Sequence, residues 1–206
     1  MTDKYAVFGN PIAHTRSPMI HQMFAEQAGQ QMEYASQLVE ENNFTAAADH
    51  FFLNGGKGLN VTVPFKQDAF NYAPKKTKRA SLAGAVNTLT MQPDGTVLGD
   101  TTDGVGLVGD IVNQLNWTIK AKRVLVLGAG GAVKGILEPL LAQQPQHVVI
   151  ANRTLSKALK LAKDFAELGY LLGCSLEMLD GQEFDLIING TSASLHGSEL
   201  SLPKSL

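Results

Sequence analysis

Cysteine is nearly missing from this 206-residue chain: Cys174 stands alone, which excludes an intrachain disulfide, and no Cys or His partners are spaced around it as metal ligands. A reducing compartment and no bound metal are the expectations. Charge of one sign is lacking too. Seventeen Lys and Arg against 19 Asp and Glu leave a formal charge of -2, so no global basic field speaks for a nucleic-acid partner. The local exception, Lys75-Lys76-Thr77-Lys78-Arg79, reads as a solvated helix face. No apolar run reaches the ~18 residues a membrane span needs. Residues 1–5 lead almost directly into an apolar strand with no long apolar leader, so a cytoplasmic protein without a membrane partner is expected.

What is there suits a globular chain of one or two domains: 44% of residues are hydrophobic and 17% charged, enough for a sizeable core. The stretch Asn60-Val61-Thr62-Val63-Pro64-Phe65-Lys66 alternates polar and apolar side chains as a short strand does, and Pro64 forbids its continuation in a central ladder. Lys66 therefore falls just past a strand end, on the side where α/β sheets keep their ligands, and can donate a proton or a hydrogen bond there. The plain alternative is a solvated surface lysine.

Earlier in the chain, an apolar strand around residues 5–8 ends at Gly9-Asn10-Pro11, and His14-Thr15-Arg16-Ser17-Pro18 precedes a helical pattern carrying Met19, Ile20, Met23 and Phe24. Ser17 is placed as an N-cap with Pro18 as the first helical residue, while Thr15 has no capping duty. A helix start of this kind also binds anions. A second strand over 34–39 and a helix over 43–53 follow, and a helical region over 67–83 holds the basic run. Two strands joined by Pro93-Asp94-Gly95 form a hairpin, the second leading into Asp100-Thr101-Thr102-Asp103-Gly104. Asp103 lies at a strand-to-helix junction, where an acid ordinarily caps.

After Asn116 the character changes. Val124-Leu125-Val126-Leu127 is apolar throughout, like a strand buried on both faces, and Gly128-Ala129-Gly130-Gly131-Ala132 opens a helix directly behind it. Val133 occupies the third glycine position of a dinucleotide fingerprint, but the strand, loop and helix setting supports a backbone approach to a pyrophosphate. The next strand, 148–151, ends in Asn152-Arg153-Thr154 with Lys157 one turn on. Two cations and no carboxylate suit a ribose 2′-phosphate, so NADP is preferred to NAD. A further strand over 184–188 opens into Gly190-Thr191-Ser192-Ala193-Ser194. Strands alternating with helices make this a parallel, doubly wound unit.

Together these motifs resemble the shikimate dehydrogenase family along the whole chain and in order, the Asn-Val-Thr-Val-Pro-Phe-Lys block most specifically. The resemblance implies an α/β substrate-binding and catalytic domain over 1–103, a linking helix over 104–120, and a Rossmann-like NADP domain over 121–206. It implies NADPH-dependent, reversible reduction of 3-dehydroshikimate to shikimate on the route to chorismate and aromatic amino acids. Lys66 and Asp103 would be the catalytic pair; Thr15 and Ser17 would bind the substrate carboxylate, with Thr62, Asn87 and Asp103 holding further substrate oxygens. A broader quinate/shikimate dehydrogenase and a binding fragment without turnover stay open beside it.

Three departures stand out. Thr15 replaces the serine of many relatives, Lys78 stands where they often carry an acid, and relatives continue past Leu206 with further strands, a segment lining the nicotinamide, and C-terminal helices. The cofactor domain is thus expected to be incomplete at its C-terminus. Its uncovered edge should make the chain less stable or self-associating, for instance as a homodimer.

Overall fold

Alternation along the first strand sets the plan of the N-terminal half: Ala6 and Phe8 face one way into a hydrophobic core, Tyr5 and Val7 the other. In this computed structural model, which describes residues 2–191 and 200–206, the chain forms two compact units, Met1–Thr102 and Asp103–Leu206.

In the first unit, strand β1 (Asp3–Gly9) lies between the parallel strands β2 (Met32–Leu38) and β3 (Gly56–Val61). Strand β5 (Thr88–Met91) runs antiparallel to β3, and β6 (Val97–Asp100) closes the expected hairpin with β5. The region over 67–83 is not one helix. It breaks into α3 (Lys66–Tyr72), the two-residue strand β4 (Lys75–Lys76) and α4 (Lys78–Ala83). Pro74 supplies no backbone N–H and disfavours a helical residue before it, so the chain extends and pairs with Leu98 and Gly99 of β6. The resulting order is β2-β1-β3-β5-β6-β4.

One face of this sheet carries Ala6, Phe8, Leu59, Val61 and Leu89, packed against Phe44, Ala48 and Phe52 of α2 (Phe44–Leu53) and against Phe65. Each large side chain buried there contributes roughly 1.5–3 kcal/mol of transfer free energy. The other face carries Tyr5, Val7, Tyr34 and Asn60 by register, and α1 (Ser17–Ala28) lies near β2 and β1 with His21 stacked on Tyr34 at 4.1 Å. Ser17 is not the cap of α1. Arg16 holds the cap position and Ser17 and Pro18 are the first two helical residues, because the Thr15 hydroxyl already accepts from the Ser17 amide at 3.3 Å. Thr15 therefore has the capping duty that Ser17 was expected to hold.

In the second unit, α5 (Asp103–Gly109) continues as a π-helical turn over Asp110–Gln114, and its Val108 and Ile111 enter the unit's core. Strands β7 (Arg123–Leu127), β8 (His147–Ala151), β9 (Leu171–Cys174) and β10 (Leu186–Asn189) form an all-parallel sheet in the order β10-β7-β8-β9. Helices α6 (Gly131–Ala142) and α7 (Leu155–Asp164) cover one face through Ile136, Leu137, Leu140, Ala158 and Leu161. The other face packs Leu125, Leu127, Val149 and Leu179. Order reverses at β7, the topological switch point where such sheets bind their ligands. Ser192, Ala193 and Ser194 of the expected run after residue 188 lie outside the described residues.

Candidate active site

Register gathers the expected substrate-binding residues of the first unit at one edge of its sheet. β1 and β3 are parallel, so Asn10 to Ser17 after one and Thr62 to Lys66 after the other leave from the same side. β5 runs the opposite way and pairs Thr88 with Asn60 and Asp100, which brings its leading residue Asn87 and the Thr101-Thr102 exit of β6 to that edge as well.

The turn after β3 is built by Thr62, Val63, cis-Pro64 and Phe65, with the Phe65 amide donating to the Thr62 carbonyl at 3.0 Å. Asn10 ties it to the turn after β1, donating from its backbone N–H to Val63 O at 3.0 Å and from Nδ2 to Val39 O at 3.1 Å. Thr62 leans into the space that Gly9 leaves by having no side chain. Lys66 opens α3, partly buried, and its carbonyl accepts the Val86 amide at 3.0 Å, so its backbone is fixed beside the segment that carries Asn87.

Asn87 is 7% exposed. Its Oδ1 accepts the Thr102 amide at 3.0 Å and the Thr88 hydroxyl at 2.8 Å, and its Nδ2 donates to Thr102 Oγ1 at 3.1 Å. Asn60 was not singled out from the sequence, although it shares the polar face of the Asn60-Val61-Thr62 alternation. Its Oδ1 accepts the Tyr34 hydroxyl at 2.7 Å and its Nδ2 donates to Thr88 Oγ1 at 3.2 Å. Tyr34 and Thr88 were missed as well, since nothing in their local spacing announces that both reach Asn60, Tyr34 across β1 and Thr88 from the neighbouring β5. Among the described residues no buried side-chain nitrogen or oxygen lacks a partner. Among them, too, no group of three or more His, Cys, Asp and Glu could hold a metal ion.

The second unit holds Asp103, exposed in the first turn of α5, and the expected cofactor residues. Gly128 leaves β7 with φ +106°, a backbone open chiefly to glycine, and donates to Ala151 O at 2.8 Å. A Cβ on Gly128 would touch the Gly190 carbonyl at 3.2 Å, whereas one on Gly130 would find no described atom within 4 Å. That open side, with Gly130 capping the 12-residue α6 and Gly131 and Ala132 exposed at its start, has the shape and the dipole to receive a phosphate.

Val133 is fully buried, and its Cγ2 lies 2.5 Å from where a Cβ of Gly190 would stand. The close helix–strand approach that a third glycine usually permits is achieved here from the strand side, by Gly190. At the end of β8, Asn152 Nδ2 donates to Thr154 O at 3.0 Å and shapes the loop. Arg153, Thr154 and Lys157 are exposed around the start of α7. An exposed guanidinium and ammonium beside a helix N-terminus fit a phosphate dianion, and no carboxylate within Asn152 to Lys157 opposes one.

Comparison with known proteins gives two family matches that together take in most of the chain: the shikimate dehydrogenase substrate binding domain over residues 7–89, and shikimate / quinate 5-dehydrogenase over 110–197. The chain is 59% identical over 206 residues to a shikimate dehydrogenase (NADP(+)) of Cellvibrio japonicus, covering 100% of itself and 74% of that relative. Among solved structures it resembles an Ael1 enzyme from Pseudomonas putida, with a TM-score of 0.91, 44% identity, and 98% of this chain and 74% of that one covered. It also resembles a shikimate dehydrogenase in complex with NADP+, with a TM-score of 0.82, 32% identity, and 93% and 67% covered.

Proposed function

Because this chain belongs to the shikimate dehydrogenase family, we infer that it is an NADP-dependent oxidoreductase that interconverts 3-dehydroshikimate and shikimate in aromatic amino acid biosynthesis. The observation that carries this reading is the 59% identity, over the full length of this chain, to a relative named for shikimate and NADP(+). A broader quinate activity is not favoured over it. The substrate is a small molecule.

The assignment of residues is our proposal. The first unit binds substrate and the second binds NADP, a division supported by the substrate-binding domain match over 7–89 and by the glycine-rich switch point of β7. Gly128, Ala129, Gly130, Gly131 and Ala132 would hold the pyrophosphate at the start of α6, and Asn152, Arg153, Thr154 and Lys157 the 2′-phosphate. When bound, NADPH supplies the hydride.

Thr15 and Ser17 bind the substrate carboxylate through their hydroxyls, and Thr62 and Asn87 position the ring oxygens. An oxygen that gains charge as its carbon is reduced needs a donor, and Lys66 Nζ carries the proton for it. Asp103 is its acidic counterpart and also holds a substrate hydroxyl. A homodimer is part of the proposal; among the described residues β10 lies at one side of the parallel sheet, with Ile187 half exposed. Among the described residues no helix is long and apolar enough to cross a membrane, and a lone, buried thiol suits the cytoplasm.

The test is NADP+ reduction followed with shikimate and with quinate in parallel, beside calorimetric titration of shikimate. Shikimate-dependent reduction that exceeds the quinate rate is expected. Absence of both shikimate turnover and shikimate binding would overturn the reading.

A further inference from the structure

Five hydrogen bonds in the first unit, with the Ser17 hydroxyl facing that of Tyr34, link the start of α1 to the exit of β6. Thr15 Oγ1 donates to Ser17 Oγ at 3.1 Å, and Ser17 lies beside Tyr34, whose hydroxyl it acts on as a donor. Tyr34 donates to Asn60 Oδ1 at 2.7 Å, Asn60 Nδ2 to Thr88 Oγ1 at 3.2 Å, Thr88 to Asn87 Oδ1 at 2.8 Å, and Asn87 Nδ2 to Thr102 Oγ1 at 3.1 Å. Residues assigned above to the substrate lie toward both ends of this series: Thr15 and Ser17 at one, and Asn87, next to the terminal Thr102, at the other. Tyr34 sits between them, on β2, reaching across β1 to Asn60 on β3.

Tyr34 controls the polarity of Asn60. An amide side chain can present either its oxygen or its NH2 group, and the neighbours decide which. A phenol that donates to Asn60 fixes the Asn60 oxygen toward β2 and its NH2 toward Thr88. Thr88, accepting on that side, sends its own proton to Asn87 Oδ1, where it joins the Thr102 amide as the second donor. We infer that Tyr34 is a positioning residue for substrate binding: beside Ser17 it steadies the carboxylate-binding hydroxyls, and through Asn60 and Thr88 it secures one of the two donors that hold the Asn87 amide. The inference rests on the assignment of Thr15, Ser17 and Asn87 to the substrate.

Two features keep Tyr34 in this role. Burial pushes its phenol up to about 12, so the proton it donates stays in place across the working pH range. The His21 ring lies flat on it at 4.1 Å and 7°, which holds the ring without using its hydroxyl. Tyr34→Phe therefore removes the hydroxyl and leaves the stack.

The experiment measures shikimate dissociation by calorimetry, with NADP+ present, for the unmodified protein, Tyr34→Phe, Ser17→Ala and the double variant, with melting temperatures alongside. Tyr34→Phe should weaken shikimate about tenfold, the worth of one good hydrogen bond, with the melting temperature and NADP+ affinity little changed. The double variant should bind less weakly than the two single losses multiplied, because part of the tyrosine's effect passes through Ser17. Unchanged shikimate affinity in Tyr34→Phe, a loss confined to melting temperature, or fully multiplicative losses would overturn the inference while the site assignment stands. Ser17→Ala with unchanged affinity would instead remove the assignment itself.

Discussion

Arg79 closes on Asp100 as a two-point fork: Nε donates to Oδ1 at 2.7 Å and Nη2 to Oδ2. Thr77 Oγ1 at 2.6 Å and the Thr101 amide at 2.8 Å complete the set of donors around the carboxylate. The pair fastens α4 to the end of β6, two residues before Thr102, so it holds the frame on which the Asn87 contacts are built. Burial by itself would raise the Asp100 carboxyl, but the Arg79 fork and the other donors outweigh it and keep the group below the ordinary carboxylate range.

The sign of the pH dependence follows. A carboxyl lowered on folding leaves the unfolded chain with more bound protons as pH falls, so its stabilisation is full above the unfolded value near ~3.9 and is lost as pH drops through the folded value. Asp100→Asn should cost about 2 kcal/mol at neutral pH, or about 4–8 °C in melting temperature. That cost should shrink steadily below about pH 4. Melting curves taken against pH check it, and a penalty as large in strong acid as at pH 7 would contradict it.

Gly190 and Val133 are predicted to behave as a complementary pair. A methyl added at 190 would stand 2.5 Å from Val133 Cγ2 and 3.4 Å from Leu127 O, and a β-branched, fully buried valine has little freedom to turn aside. Gly190→Ala should therefore cost about 1–3 kcal/mol by overpacking. Val133→Ala in the same chain should return most of it. Denaturant titration of the single and double variants reads the coupling, and additive losses would show that the two do not share one space.

Much of this architecture was legible in the sequence because local rules carried it. Val124 to Leu127 with the glycines behind them, and the two strands around Pro93-Asp94-Gly95, each announce an element from a few neighbouring residues. What stayed hidden depends on partners distant in sequence. Pro74 breaks the helix, but that Lys75 and Lys76 then form a strand depends on the edge β6 offers them. β9 escapes notice because Leu171-Leu172-Gly173-Cys174 neither alternates nor shows β-branching, and its Gly173 matters only through the backbone of Ala158, 2.7 Å from where a Cβ would stand. Thr15 and Ser17 both lie at the start of α1, as expected, yet the hydroxyl that accepts a backbone amide there is that of Thr15, a detail decided by one 3.3 Å contact. Tyr34 and Asn60 are 26 positions apart, and no spacing rule joins them.

Arg153 is predicted to select the cofactor. It is exposed beside Thr154 at the start of α7, with Lys157 on the next turn, and the loop is fixed from within by Asn152 rather than by the arginine. Arg153→Ala should therefore leave the fold intact and weaken NADP+ by about tenfold or more, the value of a charge-assisted pair, while NAD+ changes little. Comparing the KM of the two cofactors, or their dissociation constants, checks this. Equal losses would remove the guanidinium from the 2′-phosphate.

Lys66 is predicted to act in the chemical step. Its backbone is held by the Val86 amide at 3.0 Å and it opens α3, where alanine is an excellent helix former, so Lys66→Ala should fold normally. Turnover should fall about a thousandfold, as for loss of a general acid, with shikimate affinity nearly unchanged. Lys66→Arg separates two ways in which the ammonium could work. A guanidinium keeps the charge but does not give up its proton at neutral pH. Turnover as low in the arginine variant as in the alanine variant is expected if Nζ delivers the proton, whereas strong recovery would mean that positive charge alone suffices. Single-turnover rates with saturating shikimate and NADP+ make the measurement, and near-normal turnover in Lys66→Ala would exclude the residue from catalysis.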